Sequence, residues 1–314
     1  MQLVRHLVDM PHPTLAAGSV VTIGAYDGLH LGHRQLLERV VSSARQRSMP
    51  AVLMSFEPTP KEFFSAAKPP ARLMRFREKF EELASAGIDV FYCPRFARAM
   101  REIPAADFIR RILIHGLNTR HLVVGDDFHF ARRREGGVEH LARAAAALDF
   151  ELEQVPSVIA DGVRVSSTAV REALAVGDLK RATTLLGRPY RMSGKIVAGE
   201  KLGRKLGYPT ANVDLRRRQS AVIGIFAVRV HGLDGGQRDA VASVGSRPTF
   251  NGSKPLLEVH VFDFDGDIYG RYIHVDFIAR LRDQQKFDSA DELVAQMHID
   301  ADNARSILAM GVAG

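Results

Sequence analysis

The 314 residues are 46% hydrophobic and 25% charged, an ordinary balance for a chain that buries real cores and long enough for two domains. One cysteine, Cys93, excludes an intramolecular disulfide framework, and no uncharged apolar run approaches the ~18 residues of a membrane span. A formal net charge of +7 is compatible with nucleic acid, anionic lipid or phosphorylated small molecules and does not choose among them.

In chain order, short apolar runs alternate with amphipathic stretches. Val20–Gly24, Ala51–Phe56, Val90–Cys93, His121–Val124 and Glu151–Val155 are short and rich in β-branched residues, which predicts buried strands. Helical periodicity covers His33–Ser48, Arg72–Ala86, Ala105–His115 and Val138–Leu148, with Pro104 at a helix start and Gly87 and Gly116 at helix ends. The alternation predicts an α/β domain with a parallel sheet, its ligands beyond the carboxyl ends of the strands. Two short helices follow, Thr168–Val176 and Leu179–Leu186, each closed by a glycine. Past Gly187 the pattern turns to strands at Ile223–Val230, Asp239–Val244, Leu256–Phe262 and Tyr272–Phe277, then a last helix over Ser289–Ala309. Turn pairs such as Asp265-Gly266 separate the strands, and the second domain is expected to be a small β-barrel with a terminal helix. The boundary is placed between residues 186 and 187, giving domains 1–186 and 187–314.

The N-terminus, Met1-Gln-Leu-Val-Arg-His6, lacks the charged start, apolar core and cleavage site of a signal peptide, so the cytoplasm is the expected setting. Arginine runs at Arg132–Arg134 and Arg216–Arg218 lack the aromatic interleaving of single-strand binders. Neither a nucleic-acid nor a membrane partner is expected.

The segment Thr22-Ile-Gly-Ala-Tyr-Asp-Gly-Leu-His-Leu-Gly-His33 follows a strand and opens a helix, where unpaired N–H groups and the helix dipole favour a phosphate. Gly24 and Gly28 let the backbone approach a ligand, and Gly32 leaves room for a nucleotide. His30 and His33 fall on one side of the incoming helix. A bare H-x-G-H fits a pair of surface histidines equally well; zinc fits less, since no further ligands stand at metal spacing. A second such start lies at Val165-Ser-Ser-Thr-Ala-Val-Arg171. There Ser166 or Ser167 caps a helix whose N–H groups, with Arg171, hold an anion. Alone, that is also a plain N-cap.

Together these elements, Thr168 included, resemble the paired signature of the nucleotidyltransferase superfamily, whose Rossmann-like members hold ATP and transfer its nucleotidyl group. Ser55-Phe-Glu-Pro-Thr-Pro-Lys-Glu-Phe-Phe64 and Val123-Val-Gly-Asp-Asp-Phe-His-Phe130 resemble the flavin-handling loops of bacterial FAD synthetases. With them, the resemblance to the bacterial bifunctional riboflavin kinase/FMN adenylyltransferase family covers essentially the whole chain. It implies a transferase with two ATP-dependent steps: riboflavin to FMN in the C-terminal domain, then FMN to FAD and pyrophosphate in the N-terminal one. Implied at the first site are ATP contacts by Gly24, Asp27, Gly32, Ser166, Ser167 and Thr168, catalysis by His30, His33 and Arg171, and flavin contacts by Phe56, Pro58 and Asp127. Asp127 also reads as a turn aspartate. Ala25 stands where the family usually has asparagine and Thr59 where it has histidine, which implies a functioning adenylyltransferase, weaker or retuned.

The second constellation begins at Gly194 and ends at Pro209-Thr-Ala-Asn212. Glycines 199, 203 and 207 make an adaptable loop able to wrap phosphates with backbone N–H groups. It is not a Walker A motif, because Glu200-Lys201 stands where Lys-Ser/Thr would. The Pro209–Asn212 end resembles the riboflavin kinase signature. That implies ATP contacts by Gly199, Lys201, Gly203 and Thr210, and Mg²⁺ held with ATP by Thr210 and Asn212. Downstream, Leu257, Val259 and Val261 alternate with Glu258, His260 and Phe262 in a strand with two faces. An acid inside a strand is costly unless used or solvated; in the family pattern Glu258 matches the catalytic base, and a solvated glutamate is the alternative. A ribityl hydroxyl needs such a base, whereas the FMN phosphate, with a second pKa of ~6, is nucleophilic without one.

Arg271 and Leu281-Arg-Asp-Gln-Gln-Lys-Phe287, with Arg282, resemble the flavin side of the kinase module. Asp263, Asp265 and Asp267 lack the glycine and glutamate spacing of a calcium loop and read as a charged hairpin turn. The expected partners are riboflavin, FMN, FAD and ATP, with the chain a monomer or weak homo-oligomer. A silent RNA-binding or regulatory protein would leave Thr210, Asn212 and Glu258 unexplained, and another nucleotidyltransferase would leave residues 190–287 unexplained.

Overall fold

Ser19–Ile23 and Ala51–Met54 are buried at every position, as strands covered on both faces must be. In the computed structural model, which describes residues 1–9, 12–199, 207–234, 236–249 and 252–310, they lie at the centre of a six-stranded sheet. Its strands are β1 (Gln2–Val4), β2 (Ser19–Ile23), β3 (Ala51–Met54), β4 (Val90–Tyr92), β5 (Thr119–Gly125) and β6 (Glu151–Val155). They pair in the order β1-β4-β3-β2-β5-β6, every neighbouring pair parallel. The strand order therefore turns back between β2 and β5, and the loops leaving their carboxyl ends flank the crevice where such sheets bind ligands.

Connecting these strands are α1 (His12–Leu15), α2 (Leu31–Gln46), α3 (Pro60–Phe64), α4 (Phe76–Ser85), α5 (Arg98–Arg101), α6 (Ala105–Asp107) and α7 (Val138–Leu148). The helix expected over Ala105–His115 is π-helical from Phe108 to Ile114; Phe108, Ile109, Ile112 and Leu113 all enter the core beneath the sheet. A short hairpin, β7 (Ile159–Ala160) and β8 (Val163–Arg164), follows β6.

Contacts divide the chain into two units, Met1–Pro70 with Phe76–Val165 and Ala71–Arg75 with Ser166–Gly314. The second unit holds α8 (Ser167–Ala175), α9 (Leu179–Leu186), strands β9 (Tyr190–Val197), β10 (Ala211–Asp214), β11 (Gly224–Leu233), β12 (Gly236–Thr249), β13 (Gly252–Val261) and β14 (Tyr272–Arg282), and α10 (Ala290–Met310). The strands close an antiparallel barrel in the order β10-β13-β12-β11-β14-β9. Ala301, Ala304 and Leu308 of α10 pack on Tyr208, Ala227 and Phe262.

The helix expected from Arg72 starts only at Phe76. Residues 71–75 instead belong to the second unit, where arginines take their backbone carbonyls. Arg171 Nε donates to the Ala71 carbonyl at 2.7 Å, and Arg217 Nη1 to those of Arg72 (2.6 Å) and Leu73 (3.3 Å). Arg75 Nη2 donates to the Tyr272 hydroxyl at 2.8 Å. Carbonyls committed to arginines so far away in sequence are not free for a helical ladder.

Candidate active sites

Residues 24–30 link β2 to α2 through a bent backbone. Tyr26 (φ 49°), Gly28 (φ 91°) and Leu29 (φ 45°) all occupy the left-handed region, which side chains as large as tyrosine and leucine adopt only under constraint. The constraints are local. The Tyr26 hydroxyl lies 2.6 Å from Thr22 Oγ1, and its buried ring fills the space over Gly24, where a β-carbon would fall 2.9 Å from Tyr26 Cε2. The Ala25 carbonyl accepts from Lys79 Nζ at 2.6 Å and from Ser55 Oγ at 3.2 Å. Gly24 thus serves by seating Tyr26, and Asp27 is buried within the same bend.

His30 caps α2, its Nδ1 accepting the His33 backbone N–H at 3.4 Å. In the neutral ring the proton therefore sits on Nε2. The His30 and His33 rings stack with centroids 3.6 Å apart, Tyr26 lies 4.8 Å from His33, and Gly32 has a virtual β-carbon 3.4 Å from the His30 ring. Burial, then His30, then Lys79 hold His33 well below the usual histidine range. At neutral pH His33 is a neutral hydrogen-bonding group. Its Nδ1 is buried with no partner among the described residues.

At the end of β3, Phe56 and Pro58 lead into α3, which Thr59 caps. Thr59 Oγ1 accepts from the Glu62 backbone N–H (3.4 Å), and the Glu62 carboxylate accepts from the Thr59 N–H (2.9 Å). The departure from histidine at 59 thus has a structural use, a reciprocal cap. Phe96 contacts Phe56, Phe63 and Phe64 edge-on at 5.3, 5.3 and 5.9 Å, and Arg101 lies over Phe64. Phe64 is 61% exposed, so this aromatic surface faces solvent, a form suited to stacking a flat ring. Phe63 and Phe64 end the flavin-handling segment quoted from the sequence, whereas Phe96 and Arg101, beyond the next strand, escaped the sequence reading.

Beyond β5, Asp127 pairs with Arg164 at 2.6 Å, while Asp126 accepts from Ser157 N–H (2.9 Å) and Oγ (2.6 Å). The Ser157 bonds, and after them Arg164, hold the Asp126 carboxyl below its usual range. Further along, Ala131 takes φ 66°, ψ −173°, a region open essentially to glycine. That strain costs roughly 1–3 kcal/mol, more than the ~0.4–1 kcal/mol of added chain entropy a glycine brings. Ala131→Gly is therefore expected to stabilise the chain by about 1 kcal/mol, read as a raised urea midpoint with unchanged slope.

In the second unit, Ser166 caps α8 by accepting the Ala169 N–H at 3.1 Å. Ser167 and Thr168 form the first turn. Arg171, one turn on, donates Nη1 to the Ser167 carbonyl at 3.1 Å in addition to its bond to Ala71.

The barrel gathers residues that are distant in sequence. Asn212 of β10 stands opposite Glu258 of β13, which stands opposite Ser243 of β12. One row across three strands thus carries an amide, a carboxylate and a hydroxyl on a single face. Gln284 Nε2 reaches Ser243 Oγ at 3.5 Å, its amide lying where a β-carbon on Gly245 would be. His260, two residues along the same face from Glu258, donates Nδ1–H to the Pro209 carbonyl at 2.9 Å, pinning the turn that presents Thr210. The Tyr208 hydroxyl bonds His298 Nδ1 of α10, and its ring meets His260 edge-on at 5.0 Å. Gln284 falls within the Leu281–Phe287 segment read from the sequence as the flavin side; Ser243, His260 and His298 were not singled out, because only strand register and helix packing bring them here.

Gly199 closes on the same row: a β-carbon there would fall 2.1 Å from Asn212 Nδ2. Gly199→Ala must therefore displace the Asn212 amide. The expected result is an about 100-fold loss at the barrel site, the scale of an ångström of misplacement, with the first site unaffected in the same preparation. Lys201 and Gly203 lie outside the described residues. Arg271 is half-buried and paired with Asp234 at 2.7 Å. Arg282 makes a two-pronged bond to the buried Asp300 of α10, Nε at 2.8 Å and Nη2 at 2.7 Å, and Gln296 shares that carboxylate. These planar donors of Arg282 are committed to α10.

Two family models match the chain, FAD synthetase over residues 12–169 and riboflavin kinase over 186–308. Proteins named bifunctional riboflavin kinase/FMN adenylyltransferase are similar over nearly their whole length. The one from Escherichia coli (strain K12) is 43% identical over 310 residues, 99% of each chain; that from Haemophilus influenzae is 40% identical, covering 98% of this chain and 99% of its own. A solved structure described as a macrolide-efflux protein from Streptococcus pneumoniae superposes with a TM-score of 0.81 at 31% identity, covering 96% of this chain and 98% of that one.

Proposed function

The chain belongs to the bifunctional riboflavin kinase/FMN adenylyltransferase family, and on that premise we propose which of its residues carry the two reactions. It is a transferase that phosphorylates riboflavin to FMN with ATP and then moves an adenylyl group from a second ATP onto FMN, giving FAD and pyrophosphate. We place the division of labour between residues 186 and 187. Contacts put α8 and α9 with the barrel, although Ser166–Arg171 carry adenylyl-transfer chemistry.

The observation that carries the kinase assignment is the row Asn212–Glu258, with Gly199 packed against it. Glu258 takes the proton of the ribityl hydroxyl as that oxygen attacks the γ-phosphorus of ATP; the new O–P bond forms as the bond to ADP breaks. The Thr210 hydroxyl and Asn212 amide oxygen are hard donors suited to Mg²⁺ held jointly with ATP phosphates. No cluster of three or more acidic, histidine or cysteine ligands occurs among the described residues, so a donor set shared with the nucleotide fits better than a protein-only cage. Mg²⁺ so held would neutralise charge on the transferring phosphoryl group. Glycine 199, with Lys201 and Gly203, is assigned to the ATP phosphates, and Arg271 and Arg282 to the flavin side, Arg282 acting through the geometry its bond to Asp300 imposes.

At the first site FMN supplies an ionised phosphate, so donors matter more than a base. We assign His30 Nε2–H and neutral His33 to ATP phosphate oxygens and Arg171 to charge building on pyrophosphate. Gly24, Asp27, Gly32, Ser166, Ser167 and Thr168 shape the nucleotide contacts. Phe56, Pro58 and Asp127 take the flavin, extended by the exposed ring of Phe64.

The direct test is incubation of the protein with riboflavin, ATP and Mg²⁺, the flavins being separated by chromatography. FMN is expected first and FAD after it; riboflavin recovered unchanged would overturn the kinase assignment, and FMN without FAD the adenylyltransferase one.

A further inference from the structure

Lys79 sits in the first turns of α4 with 4% of its surface exposed. An ammonium kept from water is costly unless its charge or its hydrogen bonds are used, and a methionine would fill the same space without that cost. Its Nζ donates to the Ala25 carbonyl at 2.6 Å, alongside Ser55 Oγ. Ala25 opens the strained bend that runs through Tyr26, Gly28 and Leu29 to His30. Because the peptide is planar and trans, clasping the Ala25 carbonyl turns the Tyr26 N–H to the opposite side and fixes the plane from which the bend continues. We propose that Lys79 is a positioning residue for adenylyl transfer, setting the phosphate-facing bend through the Ala25 carbonyl. The proposal rests on the reading that this bend and His33 serve the adenylyl-transfer site.

A second observation points the same way. Among the described residues His30 stacks on the His33 ring, Tyr26 lies tilted beside it, and the Lys79 charge acts on it. The ammonium opposes protonation of His33, so it keeps the ring neutral as well as keeping the bend in place. A hydrocarbon of equal length would supply neither.

In Lys79→Met, kcat/KM for FAD formation from added FMN is expected to fall about 100-fold, while riboflavin phosphorylation by the same chain is unchanged. The acid limb of FAD formation moves to higher pH, because His33 no longer faces the cation. Lys79→Arg keeps the charge but displaces the carbonyl: KM for ATP rises and the acid limb stays at the wild-type position. FAD kinetics unchanged in Lys79→Met, or a lower rate with an unmoved acid limb, would overturn the proposal. Should Lys79→Met lose phosphorylation too, Lys79→Arg decides; a normal melting temperature with wild-type KM for ATP overturns it. Wild-type protein that forms no FAD would instead sink the reading of the first site, and this proposal with it.

Discussion

Glu258→Gln is expected to lower riboflavin phosphorylation about 10³-fold, inside the range spanned by loss of a positioned general base, and to leave FAD formation from added FMN untouched. The substitution keeps the side chain's length and its capacity to accept a hydrogen bond. It removes only the basicity. Glu258 lies on β13 between buried Leu257 and Val259, in register with Asn212 on one side and Ser243 on the other, so the amide has the same seat. A fall in kcat with KM for riboflavin unchanged would mark an interaction made in the transition state. Equal loss of both activities in a folded chain would count against two separate sites. A kinase that keeps its rate would return Glu258 to the role of a solvated strand residue.

Much of the frame was legible because burial leaves a pattern in the sequence. Strands covered on both faces, such as Ser19–Ile23 and Ala51–Met54, are mainly apolar runs, and Glu151–Val155 and Val138–Leu148 coincide with their predicted bounds. What stayed hidden depends on distance along the chain. β1 is three residues long, too short for any period to show. The helix predicted from Arg72 loses its first turn to Arg171 and Arg217, roughly one hundred or more residues away. Thr59 is the opposite case. Thr-Pro-Lys-Glu is a readable capping box with proline at the first helical position, and family comparison alone made it look like a loss.

The candidate sites divide in the same way. Local motifs pointed to His30, His33, Asn212 and Glu258, since the chemistry of each shows in its neighbours. The Asn212–Glu258 pairing is a matter of strand register, which fixes which residues share a face but is not written near either one. Nothing around Lys79 distinguishes it from a solvated helix lysine; only the carbonyl of Ala25 does. Arg282 was read as a flavin contact from its surroundings in sequence, and its planar donors prove to be taken by Asp300.

The double substitution His30→Gln, His33→Gln is expected to cut FAD formation from FMN about 10³-fold while phosphorylation of riboflavin continues. Removing one donor aimed at developing charge typically costs about 10²–10³-fold. Two independent donors would multiply, but these rings stack at 3.6 Å, and touching groups are not additive. The same variant changes the pH dependence of stability. His33 is held well below its usual pKa in the folded protein, so below about pH 6.5 the unfolded chain binds a proton that the folded one does not. That contribution is complete above pH 6.5 and is lost as pH falls toward the depressed folded value. His121, buried beside Ser43 at 2.6 Å and lowered mainly by burial and next by Arg47, acts in the same direction. Urea midpoints across pH 5 to 7 should therefore flatten in the variant without becoming level, since His121 still titrates. A pH dependence identical to wild type would show that His33 is protonated as readily in the fold as out of it, and would remove the ground for treating it as a neutral donor to ATP.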